Sequence, residues 1–316
     1  LASTGALEVT ADAIDNTGSI LGQSGSLTFN ALTNSGDIYG SSLTLGGASL
    51  INTGGEIGSS GAIDIAASML DNRSGLITSG AGGLTVAGAV LLNASGTLGG
   101  DGDVTLNTGN IDNGTGTIAA GRDLVITAAT LANAAGGGLW AERGARLSVS
   151  DTLTNRGSIG AGTLLQANAA TLDNGSGTDV GTLAAGVHLS LGFTNANLGR
   201  LVTGSDLTLA PTGDYIHAAS ANLAALGLLT LNIGGSLTNQ GHLEGGTGVA
   251  INAGNNLANA ATGEIIGTLV ATRAAGDVLN EGLINGSNVG LSATNITNTA
   301  RIYGDNVRVS GTSSIR

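Results

Sequence analysis

The sequence predicts an all-β chain folded as a right-handed parallel β-helix, a solenoid of stacked coils of about 20 residues each. Three observations predict it. One asparagine recurs at a near-constant interval, apolar residues keep fixed offsets on either side of it, and aromatic side chains are almost missing.

The asparagines come first. They stand at Asn16, Asn34, Asn52, Asn72, Asn93, Asn113, Asn133, Asn155 and Asn174, then at Asn239, Asn259, Asn280 and Asn298, in steps of 18 to 22 residues. Two residues before each lies an apolar side chain, as at Leu70, Leu91, Ile111, Leu131 and Leu153. Four to six residues after it comes another, as at Ile77, Leu98, Ile118, Leu139 and Ile159. A third element completes the coil: pairs spaced two apart, such as Leu43/Leu45, Ile63/Ile65, Leu84/Val86, Val104/Leu106 and Leu124/Ile126. That spacing puts both members on one face of a strand. Gly, Asn, Ser and Thr turns separate the strands, and no segment carries a helical period.

A strand pair this short does not stand alone in water. Stacking coil on coil buries each apolar position against its copies, which gives parallel sheets, and the usual crossover chirality gives the right hand. The asparagine column is read either as an inward ladder of amide hydrogen bonds between coils or as a plain turn residue; both support the coil. Glycines after it, at Gly18, Gly36, Gly54, Gly157, Gly241 and Gly282, suit a backbone with positive φ. The whole of 1–316 reads as one repeat domain with regular coils over 1–174 and 239–316. Over 175–238 the register blurs: the gap fits three coils, with Phe193-Thr194-Asn195 supplying the first Asn position and Tyr215-Ile216 the second Asn-to-Ile stretch. Fifteen to sixteen coils rising ~4.8 Å each would make a rod ~70–80 Å long.

The composition excludes other classes. Of 316 residues, 56 are glycine and 2% aromatic, so a wide globular core has nothing to fill it. With 41% hydrophobic and 10% charged residues the chain is the reverse of a disordered one. A net charge of −12 and the absence of lysine oppose binding to nucleic acid or to an anionic membrane, and no apolar run is long enough for a spanning helix. Cysteine is absent, which leaves the redox compartment undecided. The first residues, Leu1-Ala2-Ser3-Thr4, carry neither an initiator Met nor a signal pattern, so the chain reads as a piece of something longer.

The units Leu153-Thr154-Asn155-Arg156-Gly157-Ser158-Ile159-Gly160-Ala161-Gly162 and Leu237-Thr238-Asn239-Gln240-Gly241-His242-Leu243-Glu244-Gly245-Gly246 resemble the filamentous haemagglutinin repeat. The resemblance covers nearly the whole chain. It implies the stalk of a large exoprotein exported by two-partner secretion in Gram-negative bacteria, an adhesin or the toxin-delivery filament of contact-dependent growth inhibition. It also implies an outer-membrane transporter as partner during export and a place on the bacterial cell surface.

β-Helical enzymes such as polysaccharide lyases need clustered carboxylates with a basic residue. The nearest approach is Asp101, Asp103, Arg122, Asp123, Arg143 and Arg146. Of these, Asp103, Asp123 and Arg146 are expected to form a vertical column, which reads as a surface ion-pair ladder. His188, His217 and His242 are expected to face solvent in different coils, with no metal-ligand spacing. Asp15, Asp71, Asp112 and Asp173, each just before a column Asn, read as solvated positions. No catalytic residue, metal or cofactor is expected. A ligand-binding role is the alternative to the stalk: Tyr39, Trp140, Tyr215 and Tyr303 are expected to project from one sheet, where they could meet a receptor or glycan. A lyase-type enzyme is the third reading. Neither end carries a cap, so further coils, or end-to-end association, are expected there.

Overall fold

A computed structural model describes residues 1–176 and 179–316. Every element among the described residues is a strand, and the chain divides into two compact units, Leu1–Thr163 and Leu164–Arg316.

The first unit is a stack of parallel coils. A four-residue strand such as Leu76–Ser79 leads through a turn into a longer, bent strand such as Leu84–Leu92, and the next asparagine closes the coil. Three inward columns result. Along one, Ile77, Leu98, Ile118, Leu139 and Ile159 stand in register. Along the second, Leu84, Val104, Leu124 and Ala145 do so, and along the third Leu91, Ile111, Leu131 and Leu153. All of these residues are buried. A side-chain period of two keeps the residues between them on the outside, where Thr85, Thr105 and Val125 follow one another. The core is therefore narrow and aliphatic, which is why so few aromatic residues suffice.

The second unit repeats the plan. Its inward columns run through Leu165, Leu189, Leu207, Leu229, Val249, Val270 and Val289, through Leu201, Leu223, Leu243, Ile265 and Ile284, and through Tyr215, Leu237, Leu257, Val278 and Ile296. Among the described residues the one antiparallel pairing is local: Gly175–Ser176 pairs with Asp179–Val180.

Two expectations change here. Asn195 pairs with Thr171 and faces out, so it is not the first Asn position of the irregular stretch. That place falls to Leu198, after Asn197, whose carbonyl accepts the Asn174 amide just as Asp71 accepts that of Asn52. The glycines after the asparagines also have a different cause. Of the six, only Gly54 is left-handed, with φ 70°. At Gly36, Gly157, Gly241 and Gly282 the backbone of the preceding coil lies so close that a Cβ would strike its carbonyl oxygens.

Candidate functional site

The asparagine column is the most regular polar feature of the molecule. In the first unit Asn16 donates through Nδ2 to Asn34 Oδ1 at 2.7 Å, and the pattern continues through Asn52, Asn72, Asn93, Asn113, Asn133 and Asn155 at 2.7–2.9 Å. In the second unit Asn239, Asn259, Asn280 and Asn298 are joined in the same way at 2.7–2.8 Å. Each Nδ2 has a second hydrogen, which goes to carbonyls at the turn: Asn113 bonds Gly116 O at 2.8 Å. All of these amides but Asn298 are buried, so the bonds between them satisfy groups that water cannot reach. Asn174 turns instead to Gly181 O at 2.8 Å. After it Leu198 and His217 hold the column positions, both buried.

His217 overturns the expected geometry of the middle coils. Tyr215, Ile216 and His217 pair with Leu237, Thr238 and Asn239. Tyr215 is therefore an inward residue, 8% exposed, with its ring edge-on to Phe193 at 5.7 Å between centroids. It cannot contact a ligand. His217 is fully buried rather than solvent-facing, and Ile216, read as inward, is 65% exposed. One residue of shift in the coil exchanges the two faces of the strand.

The other aromatic positions differ among themselves. The Tyr39 ring lies against Gly58 of the next coil, where a Cβ would collide with it, and the residue is half-buried. The hydrogen-bonded Glu56 carboxylate beside it pushes its hydroxyl pKa up to about 12. Trp140 is 47% exposed and stands between Ala119 and Gly160 in register, so nothing bulky flanks its ring on the neighbouring coils. Tyr303, in the second unit, is 54% exposed. Tyr39 and Trp140 share a column but lie five coils, about 24 Å, apart.

The charged cluster is a staircase of ion pairs. Arg122 meets Asp103 at 3.1 Å and Arg143 meets Asp123 at 2.5 Å. Asp103 and Asp123 also accept the amides of Asp123 and Gly144. Arg146 is not in this column: Ala145, not Leu147, pairs with Leu124, and that moves Arg146 beside Val125. Three of the four acidic residues before the asparagines are turn caps. Asp71, Asp112 and Asp173 accept the amides of Arg73, Gly114 and Gly175. Asp71 is buried and bonded to the Arg73 guanidinium, which holds its carboxyl below the usual range. His242 sits between Glu264 at 2.8 Å and Glu244 at 3.1 Å, on opposite ring nitrogens. Among the described residues no three His, Asp or Glu side chains converge as metal ligands would.

The spacing of the arginines does not reveal one surface. In the second unit Arg273 and Arg308 border an open trough of about 410 Å³ floored by Ala250, Ala271 and Gly290. They are far apart in sequence and line the same trough because Gly290 pairs with Arg308 and Arg273 with Ser292. Coil register was the signal that could have found them.

A narrow aliphatic solenoid with a buried amide ladder is a structural repeat protein. The haemagglutinin repeat family model matches residues 1–42, 40–88 and 77–157, and over these residues, about half of its length, the chain belongs to that family. No curated protein and no solved structure matches it.

Proposed function

We propose that the chain is a stalk segment of an extracellular bacterial surface filament, acting by reach and stiffness rather than by chemistry. The observation that carries this is the unbroken hydrogen-bonded ladder from Asn16 to Asn155, which ties successive coils together through buried amides. Membership in a family of filament- and adhesin-type repeats supports it. In this reading the parent protein is a two-partner-secretion exoprotein, exported through an outer-membrane transporter and used in adhesion or contact-dependent toxin delivery.

The test is competition. The isolated 316-residue chain, added in excess, should neither bind target cells nor block adhesion by the parent filament. Removing residues 93–132, whole coils that rejoin Leu92 to Asn133 in phase, should leave a folded filament with the same targets. Binding by the isolated chain would overturn the stalk reading. It would favour the alternative, a ligand-binding segment, for which the exposed Trp140 between small neighbours is the supporting observation; Trp140→Ser would then abolish it.

A further inference from the structure

The break in the second unit's asparagine column has an unusual chemical state. His217 Nε2 lies 3.1 Å from the His242 carbonyl oxygen. Asn239 Nδ2 makes the equivalent bond one coil on, to the Glu264 carbonyl at 3.2 Å. Nε2 therefore carries the ring proton, and Nδ1 is a bare acceptor. His217 Nδ1 is buried without a partner, and so is Asn239 Oδ1 in the adjoining coil. From Asn34 to Asn155, and from Asn259 to Asn298, that oxygen receives an amide hydrogen from the preceding coil. Two acceptors thus occupy a place built for one donor and one acceptor.

We infer that His217 makes this stretch a proton-sensitive gap, the place where the second unit opens first in mild acid. A proton on Nδ1 would supply the missing donor, but only by placing a charge in an apolar interior. The closed coil refuses the proton and the opened, hydrated coil accepts it. Burial is the dominant cause, and it pushes the closed-state pKa down to about 4 from the ordinary 6.5. The group is depressed on closing, so the opened coil binds more protons between those values. Closed-state stability is full above about 6.5 and falls as pH drops toward about 4. Over that window the opening equilibrium rises roughly a hundredfold.

The ionisable groups near His217 leave this window in place. Tyr215, on its own strand, has its ring centroid 6.3 Å away and is neutral throughout this range. Arg200, on the strand Arg200–Thr203 of the preceding coil, is exposed. His242 faces it from the next coil; its charge lowers the His217 pKa further, while its own titration acts in the opposite sense. Burial works against the charged form of His242, but the bonds to Glu244 and Glu264 outweigh it and raise its pKa. Its contribution is present at low pH and lost as pH rises. It is also partly exposed and screened, whereas His217 is not.

Hydrogen exchange by mass spectrometry on the full chain at pH 7 and pH 4.5, corrected for intrinsic rates, decides the matter. Peptides across 198–239 should lose protection by up to about a hundredfold at the lower pH, while peptides across 84–133 keep theirs. His217→Asn should abolish the difference and gain protection at pH 7, because its amide supplies the missing donor; His242→Asn should leave the difference in place. Equal acid sensitivity in both regions, or its survival in His217→Asn, would overturn the inference. A titration of the wild-type imidazole by NMR needs no variant. A closed-state midpoint near 4 supports the gap, and one near 6.5 with protection intact refutes it.

Discussion

Asn93 and Asn113 are both fully buried, and the Nδ2 of the first donates to the Oδ1 of the second at 2.8 Å. Every internal rung of the ladder thus has two dependents. Replacing Asn113 by Ala would leave Asn93 Nδ2 without its acceptor and Asn133 Oδ1 without its donor. Each orphaned buried group costs about 1–3 kcal/mol, so Asn113→Ala should destabilise by about 2–4 kcal/mol. Asn107→Ala, an exposed amide on the same strand, is the control and should change little. Equal denaturation midpoints for the two variants would show that the ladder contributes nothing.

The glycines beside the ladder are expected to be as demanding as the asparagines. A Cβ on Gly96 would collide with the carbonyl oxygen of Asn72 and press on the Asn93 side chain, whereas one on Gly46 would meet nothing. Gly46→Ala should therefore be neutral or stabilise by about 0.5–1 kcal/mol, through a less flexible unfolded chain. Gly96→Ala forces two coils apart and should cost more than 2 kcal/mol, as overpacking in a core does. Thermal melts of the pair separate crowding from conformational freedom, since neither glycine has a positive φ.

Conformational freedom matters elsewhere. Ser74 and Ser95 adopt left-handed backbones, with φ 56° and 59°. Such a backbone costs a non-glycine residue about 1 kcal/mol. Ser74 is exposed, so Ser74→Gly should raise stability by several tenths of a kcal/mol after the entropy of the unfolded glycine is subtracted. Ser95 Oγ lies 2.9 Å from Thr115 Oγ1, and losing that contact should bring Ser95→Gly close to neutral. Ser74→Val should destabilise. If it did not, the left-handed assignment would be wrong.

How much of this was legible follows from what repeats. The inward triads and the asparagine spacing recur coil after coil, so fold class and most of the core could be read directly. What could not be read lay where one residue replaces the expected type. Leu198 and His217 hide in the asparagine column because neither resembles Asn, and no count restores the phase between Asn174 and Asn239. Ala145 hid the true register of the ion-pair column because an inward Ala is not a conspicuous hydrophobe, so Arg146 was placed two strand positions early. With a side-chain period of two, that slip keeps Arg146 on the outer face, whereas a slip of one residue, as at Tyr215 and Ile216, reverses inside and outside.

Tyr215 and Ile216 put that reversal to a direct test. Alternation read from the larger aliphatic residue makes Ile216 the core member, but the structure buries Tyr215 against Phe193 and leaves Ile216 65% exposed. Removing a buried aromatic side chain costs about 3–5 kcal/mol, whereas an exposed surface position changes stability by only about 0.5 kcal/mol. Tyr215→Ser should therefore lower the melting temperature of the second unit by many degrees, and Ile216→Ser by no more than a degree or two. Burial also raises the Tyr215 hydroxyl pKa well above its ordinary value, so its ultraviolet titration should be delayed until the unit unfolds in alkali. If Ile216→Ser proved the damaging substitution, or if Tyr215 ionised while the chain was still folded, the register linking Tyr215 to Leu237 and His217 to Asn239 would have to be abandoned.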